Sequence, residues 1–228
     1  MHVFPRGSRS LRVLLALLVP VSVALVGSGC GGSNDLTKAP PHAGCPKDMA
    51  RVPGRGGTGS GAFCLDRTEV TVSAYAECIG RAQCTSASPG RDCNQDVPLS
   101  QSMPINCVDW SQANDYCHSI GKRLPVEDEW DAAVAGQDPG GGICWSGARP
   151  LGGTCDVSRP GAQVSSQGIV DLSGNVAEWT GSGTSDARII RGGFWSANDP
   201  AVLRAESRRT AKATDRSSAV GFRCARDM

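Results

Sequence analysis

Histidine is nearly missing from this chain: three occur in 228 residues, and only His118 lies beyond residue 50. A single histidine in the body of the chain supports neither a histidine-based zinc site nor a Ser-His-Asp arrangement. No Cys-x-x-Cys occurs, which removes zinc-ribbon and thioredoxin-like redox chemistry. Neither a Gly-rich phosphate loop ahead of a suitable helix nor an internal repeat is visible. An excess of one charge is also lacking, because 23 basic residues face 22 acidic ones for a net +1. No global field therefore argues for nucleic acid as a partner. Aromatics make up only 5% of the chain, although five of them are Trp. Glycine (29) and proline (14) are plentiful, which suggests a loop-rich domain with a few large anchors.

The N-terminus reads as an export signal. Arg6, Arg9 and Arg12 form a basic start, and residues 11–26 are apolar apart from Arg12, Ser22 and a break at Pro20. That run falls short of the ~20 residues of a membrane span, so a cleaved signal is the better reading. It ends in Val26-Gly27-Ser28-Gly29-Cys30, which resembles a bacterial lipobox with Gly27 where that pattern has Leu or Val. Cys30 would then be the lipidated first residue; ordinary cleavage and release is the alternative. On this reading residues 1–29 are the signal, residues 31–44 a small, polar, flexible tether, and residues 45–228 one domain with a sizeable core. The protein is expected in the cell envelope, held to a membrane by the lipid, or else secreted. Eleven cysteines is an odd count, and assigning Cys30 to a lipid leaves ten, enough for five disulfides in an oxidising compartment. Cys144 and Cys155 bracket a short Gly-rich loop and are expected to pair with each other.

Three helices are expected. Thr71 can cap one that runs to about Ile79. Asp109 and Gln112 form a capping-box pattern for a second at residues 111–120, stopped by Gly121. Its apolar stripe is Trp110, Ala113, Tyr116, Cys117 and Ile120. Pro125 suits the first position of a third, ending before Gly136, with Trp130, Ala133 and Val134 buried. Residues 85–101 show no periodicity and read as a loop pinned by disulfides. Short strand-like pieces surround residues 170–172, 188–191 and 220–222. Helices followed by scattered strands give an α+β fold class.

Four blocks in the second half occur in a fixed order. They are Gly121-Lys122-Arg123-Leu124-Pro125 with Glu129-Trp130, Asp171-Leu172-Ser173-Gly174-Asn175-Val176-Ala177-Glu178-Trp179, Arg191-Gly192-Gly193-Phe194-Trp195, and Gly221-Phe222-Arg223-Cys224. With Phe63-Cys64-Leu65-Asp66-Arg67-Thr68-Glu69-Val70-Thr71 ahead of them, the series resembles the formylglycine-generating enzyme (sulfatase-modifying factor) family, from about Cys45 onward. The resemblance implies a fold related to the C-type lectin domain, with Trp110, Trp130, Trp179 and Trp195 mostly core. The calcium–sugar signatures of true C-type lectins are absent, so carbohydrate binding has no specific support. A calcium site is implied at Gly174, Asn175, Val176 and Glu178, where one carboxylate and main-chain carbonyls could supply hard oxygens. Paired Cys117 and Cys224 are implied as well, while a second family disulfide has lost both partners, at Val134 and Ser207. Cys45, Cys64, Cys78, Cys84, Cys93 and Cys107 leave fifteen connectivities open.

Function departs from the resemblance after Trp195. Enzymes of the family continue Arg-Gly-Gly-Ser-Trp-x-Cys-x-x-x-x-Cys, and the two thiolates bind copper(I) and the substrate thiol, which needs soft ligands. Here the serine position is Phe194 and the cysteine positions are Ala197 and Val202. Copper and formylglycine formation are therefore not expected, and a binding or scaffolding module for an unknown protein or peptide is. Its ligand surface would include Ser196, Asn198, Asp199, Arg204, Arg208 and Arg209. The stretch from Arg188 carries an excess of arginine, readable as guanidinium forks for an anion or as an ion-paired surface. The alternative function is an oxidoreductase of the same family or a related protein-modifying oxidative enzyme.

Overall fold

The computed structural model describes residues 44–54, 61–135, 143–145 and 153–228. The expected signal, the expected anchor Cys30 and the tether up to residue 43 lie outside the described residues. Among the described residues no helix is long and apolar enough to cross a membrane.

The elements follow as β1 (Met49–Val52), β2 (Phe63–Asp66), α1 (Val72–Gly80), α2 (Trp110–Ser119), α3 (Glu127–Val134), β3 (Ala177–Thr184), β4 (Ala187–Arg191), a 3-10 turn at Pro200–Leu203, β5 (Arg208–Ala211), β6 (Val220–Gly221) and β7 (Ala225–Asp227). One sheet has the order β1-β2-β7, and the other β5-β4-β3-β6, with β6 parallel to β3. Because β2 pairs with both β1 and β7, the last strand returns beside the second. This is the α+β, C-type-lectin-like architecture.

Caps set the first two helices. Thr71 accepts a hydrogen bond from the Ala74 amide, and Asp109 and Gln112 form a reciprocal capping box. The third helix starts later than Pro125 suggests. The Pro125 carbonyl accepts from the Gly181 amide at 2.8 Å, which holds residues 125–126 extended, and Val126 becomes the cap residue. Residues 170–172 do not form a strand. Val170 makes a single bridge to Val164, and Asp171 turns the backbone with φ 56°. Ile120 is 37% exposed, outside the apolar stripe of α2, and Trp110 is only half-buried.

The core has two parts. Both tyrosines of the chain, Tyr75 on α1 and Tyr116 on α2, stack at 5.6 Å, and Phe222 meets Tyr116 edge-on at 5.4 Å. Trp179 and Ile190 complete this part, while Trp130, Phe63, Leu65, Ile169 and Leu172 form the other. The Gly121–Pro125 block works as a clasp on the chain's last strand. Lys122 binds Asp66 at 2.6 Å, and Arg123 bridges Glu129 (2.6 Å) to Asp227 on β7.

Five disulfides pin the loops: Cys45–Cys64, Cys78–Cys84, Cys93–Cys107, Cys117–Cys224 and Cys144–Cys155. The loop over residues 85–101 has no regular element and is held by Cys93.

Candidate functional site

The turn through Gly174 and Asn175 is built on positive φ values of 78° and 51°. A Cβ at Gly174 would lie 2.7 Å from the Cys144 carbonyl oxygen, so only glycine fits. Asn175 then acts as a hub. Its side-chain oxygen accepts from the Cys155 amide (2.9 Å), its amide nitrogen donates to Glu69 Oε1 (3.0 Å), and its carbonyl accepts from the Trp195 amide (2.8 Å).

Beneath this turn lies a buried charged cluster. Arg223 has no exposed surface and donates through Nε and Nη2 to both Glu178 oxygens, at 2.8 and 2.7 Å. Its remaining donors reach the carbonyls of Asp66 (3.2 Å), Arg67 (3.3 Å) and Val170 (2.9 Å). Arg159 holds Asp171 by two parallel bonds of 2.5 and 2.6 Å. Glu69 Oε2 is left 3.9 Å from Arg223 Nη2, buried and with no hydrogen-bond partner. Burial pushes the Glu69 carboxyl well above its ordinary value, the Asp171 charge adds to this, and Arg223 opposes it. Burial likewise raises Glu178 against the pull of Arg223.

These contacts bear on calcium. The side chain expected to ligate it, Glu178, has both oxygens committed to a guanidinium, so a cation would have to displace Arg223. The Asn175 carbonyl is already used by Trp195. Gly174, Asn175, Val176 and Glu178 thus form an ion-paired turn that does not fit a calcium cage.

The arginine-glycine block leads to the second region. Arg191 is buried and bridges Glu127 (3.2 Å) and Asp131. A Cβ at Gly193 would stand 2.5 Å from the Leu203 Cα, so the close approach of these two segments requires glycine there. Phe194 lies under the Arg209 guanidinium at 4.2 Å, and Trp195 is buried with Nε1 donating to the Ser218 carbonyl at 3.1 Å. Ala197 is 3% exposed, and its carbonyl accepts from Trp145 Nε1 at 2.5 Å. Asp199 caps the Pro200–Leu203 turn through the Ala201 amide (2.8 Å).

Beside this segment opens a cavity of about 340 Å³, within the range of small-ligand sites. Ile143, Trp145, Leu203 and Ala205 give it apolar walls, Gln163 and Ser173 line it as well, and Arg204 and Glu206 also border it. Of the six residues expected to form a ligand surface, only Arg204 lines the cavity. Asp199 serves as a cap, Arg208 pairs with Glu127 at 2.6 Å, and Arg209 covers Phe194. Ser196 is half-buried and Asn198 exposed, and neither lines the cavity. Most of the arginine-rich stretch is therefore either ion-paired, as Arg216 on Asp109 (2.7 Å), or stacked, as Arg188 over Trp110 (3.5 Å). Trp145, Ile143 and Gln163 carried no pattern that could have marked them.

Fold and site together define a disulfide-stapled, C-type-lectin-like α+β domain whose buried centre is an arginine–carboxylate cluster. Residues 59–228 match the sulfatase-modifying factor enzyme 1-like domain, and the chain belongs to that family, the formylglycine-generating one. It is 31% identical over 168 residues to an inactive C-alpha-formylglycine-generating enzyme 2 of Mus musculus, covering 61% of this chain and 53% of that protein. It is 30% identical over 173 residues to a formylglycine-generating enzyme of Streptomyces coelicolor, covering 58% and 55%. The chain thus spans about half the length of these curated relatives. Among solved structures, CarF superposes with a TM-score of 0.62 at 20% identity, over 80% of this chain and 99% of CarF. PvdO from Pseudomonas aeruginosa gives 0.59 at 19%, over 81% and 93%.

Proposed function

We propose that the chain is an exported, lipid-anchored member of this family that has lost the oxidase chemistry and works as a binding module. One observation carries the reading: Phe194, Ala197 and Val202 stand where the enzymes of the family have a serine and two cysteines. Neither Ala nor Val can bind copper(I) or pass through a mixed disulfide. No thiol of the domain is spare, because all ten of its cysteines are paired. Five disulfides also favour an oxidising compartment over the cytosol. Cys30 is the anchor, residues 31–44 are the tether, and residues 45–228 are the domain held near the membrane. The cavity bordered by Trp145 and Arg204 is the binding site, and a protein or peptide of the cell envelope is the partner class.

The test incubates the domain with copper, oxygen and a sulfatase-type cysteine peptide. No aldehyde is expected, and its formation overturns the reading. A thiol titration of the denatured, unreduced domain should find none; two or more would reopen copper or redox chemistry. Mass analysis of the N-terminal peptide from membranes should find an acylated Cys30, and an unmodified one would remove the anchor.

A further inference from the structure

The mouth of the cavity carries two opposite charges that do not neutralise each other. Arg204 and Glu206 both border it and both are exposed. No ion pair joins them to each other or to any other side chain among the described residues, although most other arginines of the region are paired or stacked. They flank Ala205, which is 3% exposed and held in place, since its carbonyl accepts from Trp130 Nε1 at 2.8 Å. The Ser207 amide donates to the Arg204 carbonyl at 2.9 Å, closing a tight turn with Ala205 and Glu206 at its two central positions. Both charges border the same cavity, which has a tryptophan wall.

We propose that this cavity takes a free apolar α-amino acid, bound as a zwitterion. The ligand carboxylate meets the Arg204 guanidinium, its ammonium meets Glu206, and its apolar side chain enters between Ile143, Trp145 and Leu203. The chemistry follows from the pairing of charges, because a purely anionic ligand would leave Glu206 opposed and a purely cationic one Arg204. The proposal rests on the reading of the domain as a binding module, and the experiment below separates the two.

L-phenylalanine is titrated into the disulfide-intact domain by calorimetry, beside 3-phenylpropionate, phenethylamine and N-acetyl-phenylalaninamide. Saturable binding of L-phenylalanine is expected, and each compound lacking one charge should bind about tenfold or more weakly, the worth of one charge-assisted hydrogen bond. In Arg204→Gln, L-phenylalanine and phenethylamine should bind alike, and in Glu206→Gln, L-phenylalanine and 3-phenylpropionate should. Both positions are exposed, so circular dichroism of the variants should match the parent. Equal binding of L-phenylalanine and its blocked form would overturn the zwitterion while leaving the binding reading in place. Failure of all four compounds would also overturn it, and the aldehyde and thiol measurements would then judge the broader reading alone.

Discussion

At the scale of single residues, the buried cluster is a problem of charge balance. Glu69, Asp171 and Glu178 face Arg159 and Arg223, so full ionisation leaves one uncompensated negative charge away from water. Glu69 is the group whose Oε2 has no hydrogen-bond partner, and burial raises its carboxyl well above the ordinary value, with the Asp171 charge adding to the shift. The sign for stability then runs opposite to an ordinary salt-bridged acid. A raised carboxyl binds a proton in the folded state that the unfolded chain releases, so its contribution is complete below the ordinary value of 4.5. It is lost as pH rises from there through the folded value. Glu69→Gln, which mimics the protonated acid, should show a flatter fall of Tm between pH 5 and 8 than the parent. Parallel curves would mean that Glu69 is ionised. Breaking the Arg223–Glu178 pair is a different matter, because it strands a buried charge. Glu178→Gln should cost about 3–5 kcal/mol in urea unfolding, and a loss below ~1 kcal/mol would show that water reaches Arg223.

At the scale of elements, the helices depend on end chemistry and the loops on cross-links. Asp109 both accepts from the Gln112 amide (2.9 Å) and pairs with Arg216. Asp109→Ala should therefore lower stability by about 1–2 kcal/mol, with Asp109→Asn recovering most of it, as urea titration would register. The Cys117–Cys224 bond joins α2 to the end of the chain across 107 residues. A loop of that length restricts the unfolded chain by about 4–5 kcal/mol. The double variant Cys117→Ser with Cys224→Ser should accordingly unfold at much lower denaturant; a midpoint unchanged from the parent would show that the clasp of Lys122 and Arg123 suffices without it. Elements also show where local reading stops. The caps of α1 and α2 were legible because each signal acts within one turn of chain. The start of α3 was not, because Gly181, more than fifty residues away, claims the Pro125 carbonyl. Strands β5 and β7 read Arg-Arg-Thr-Ala and Ala-Arg-Asp, with no apolar alternation to reveal them.

At the scale of the whole molecule, the same turn that marks the family holds an arginine-bound carboxylate in this chain. Calcium at saturating concentration should then leave Tm unchanged, and chelation should do the same. A rise of several degrees with calcium would show that the ion displaces Arg223. By itself the sequence determined the family, the α+β class, the caps of α1 and α2 and the loss of the thiols at positions 197 and 202, because motif order, capping and residue identity are local properties. Only the tertiary structure decided that Arg223 takes Glu178, that Arg208 and Arg216 are spent on Glu127 and Asp109, and that Arg204 and Glu206, with no ion pair among the described residues, border a cavity walled by Trp145. The physical reason is that a charge's partner, and the energetic cost of burying it, depend on groups far away along the chain. No spacing between neighbours in the sequence records them.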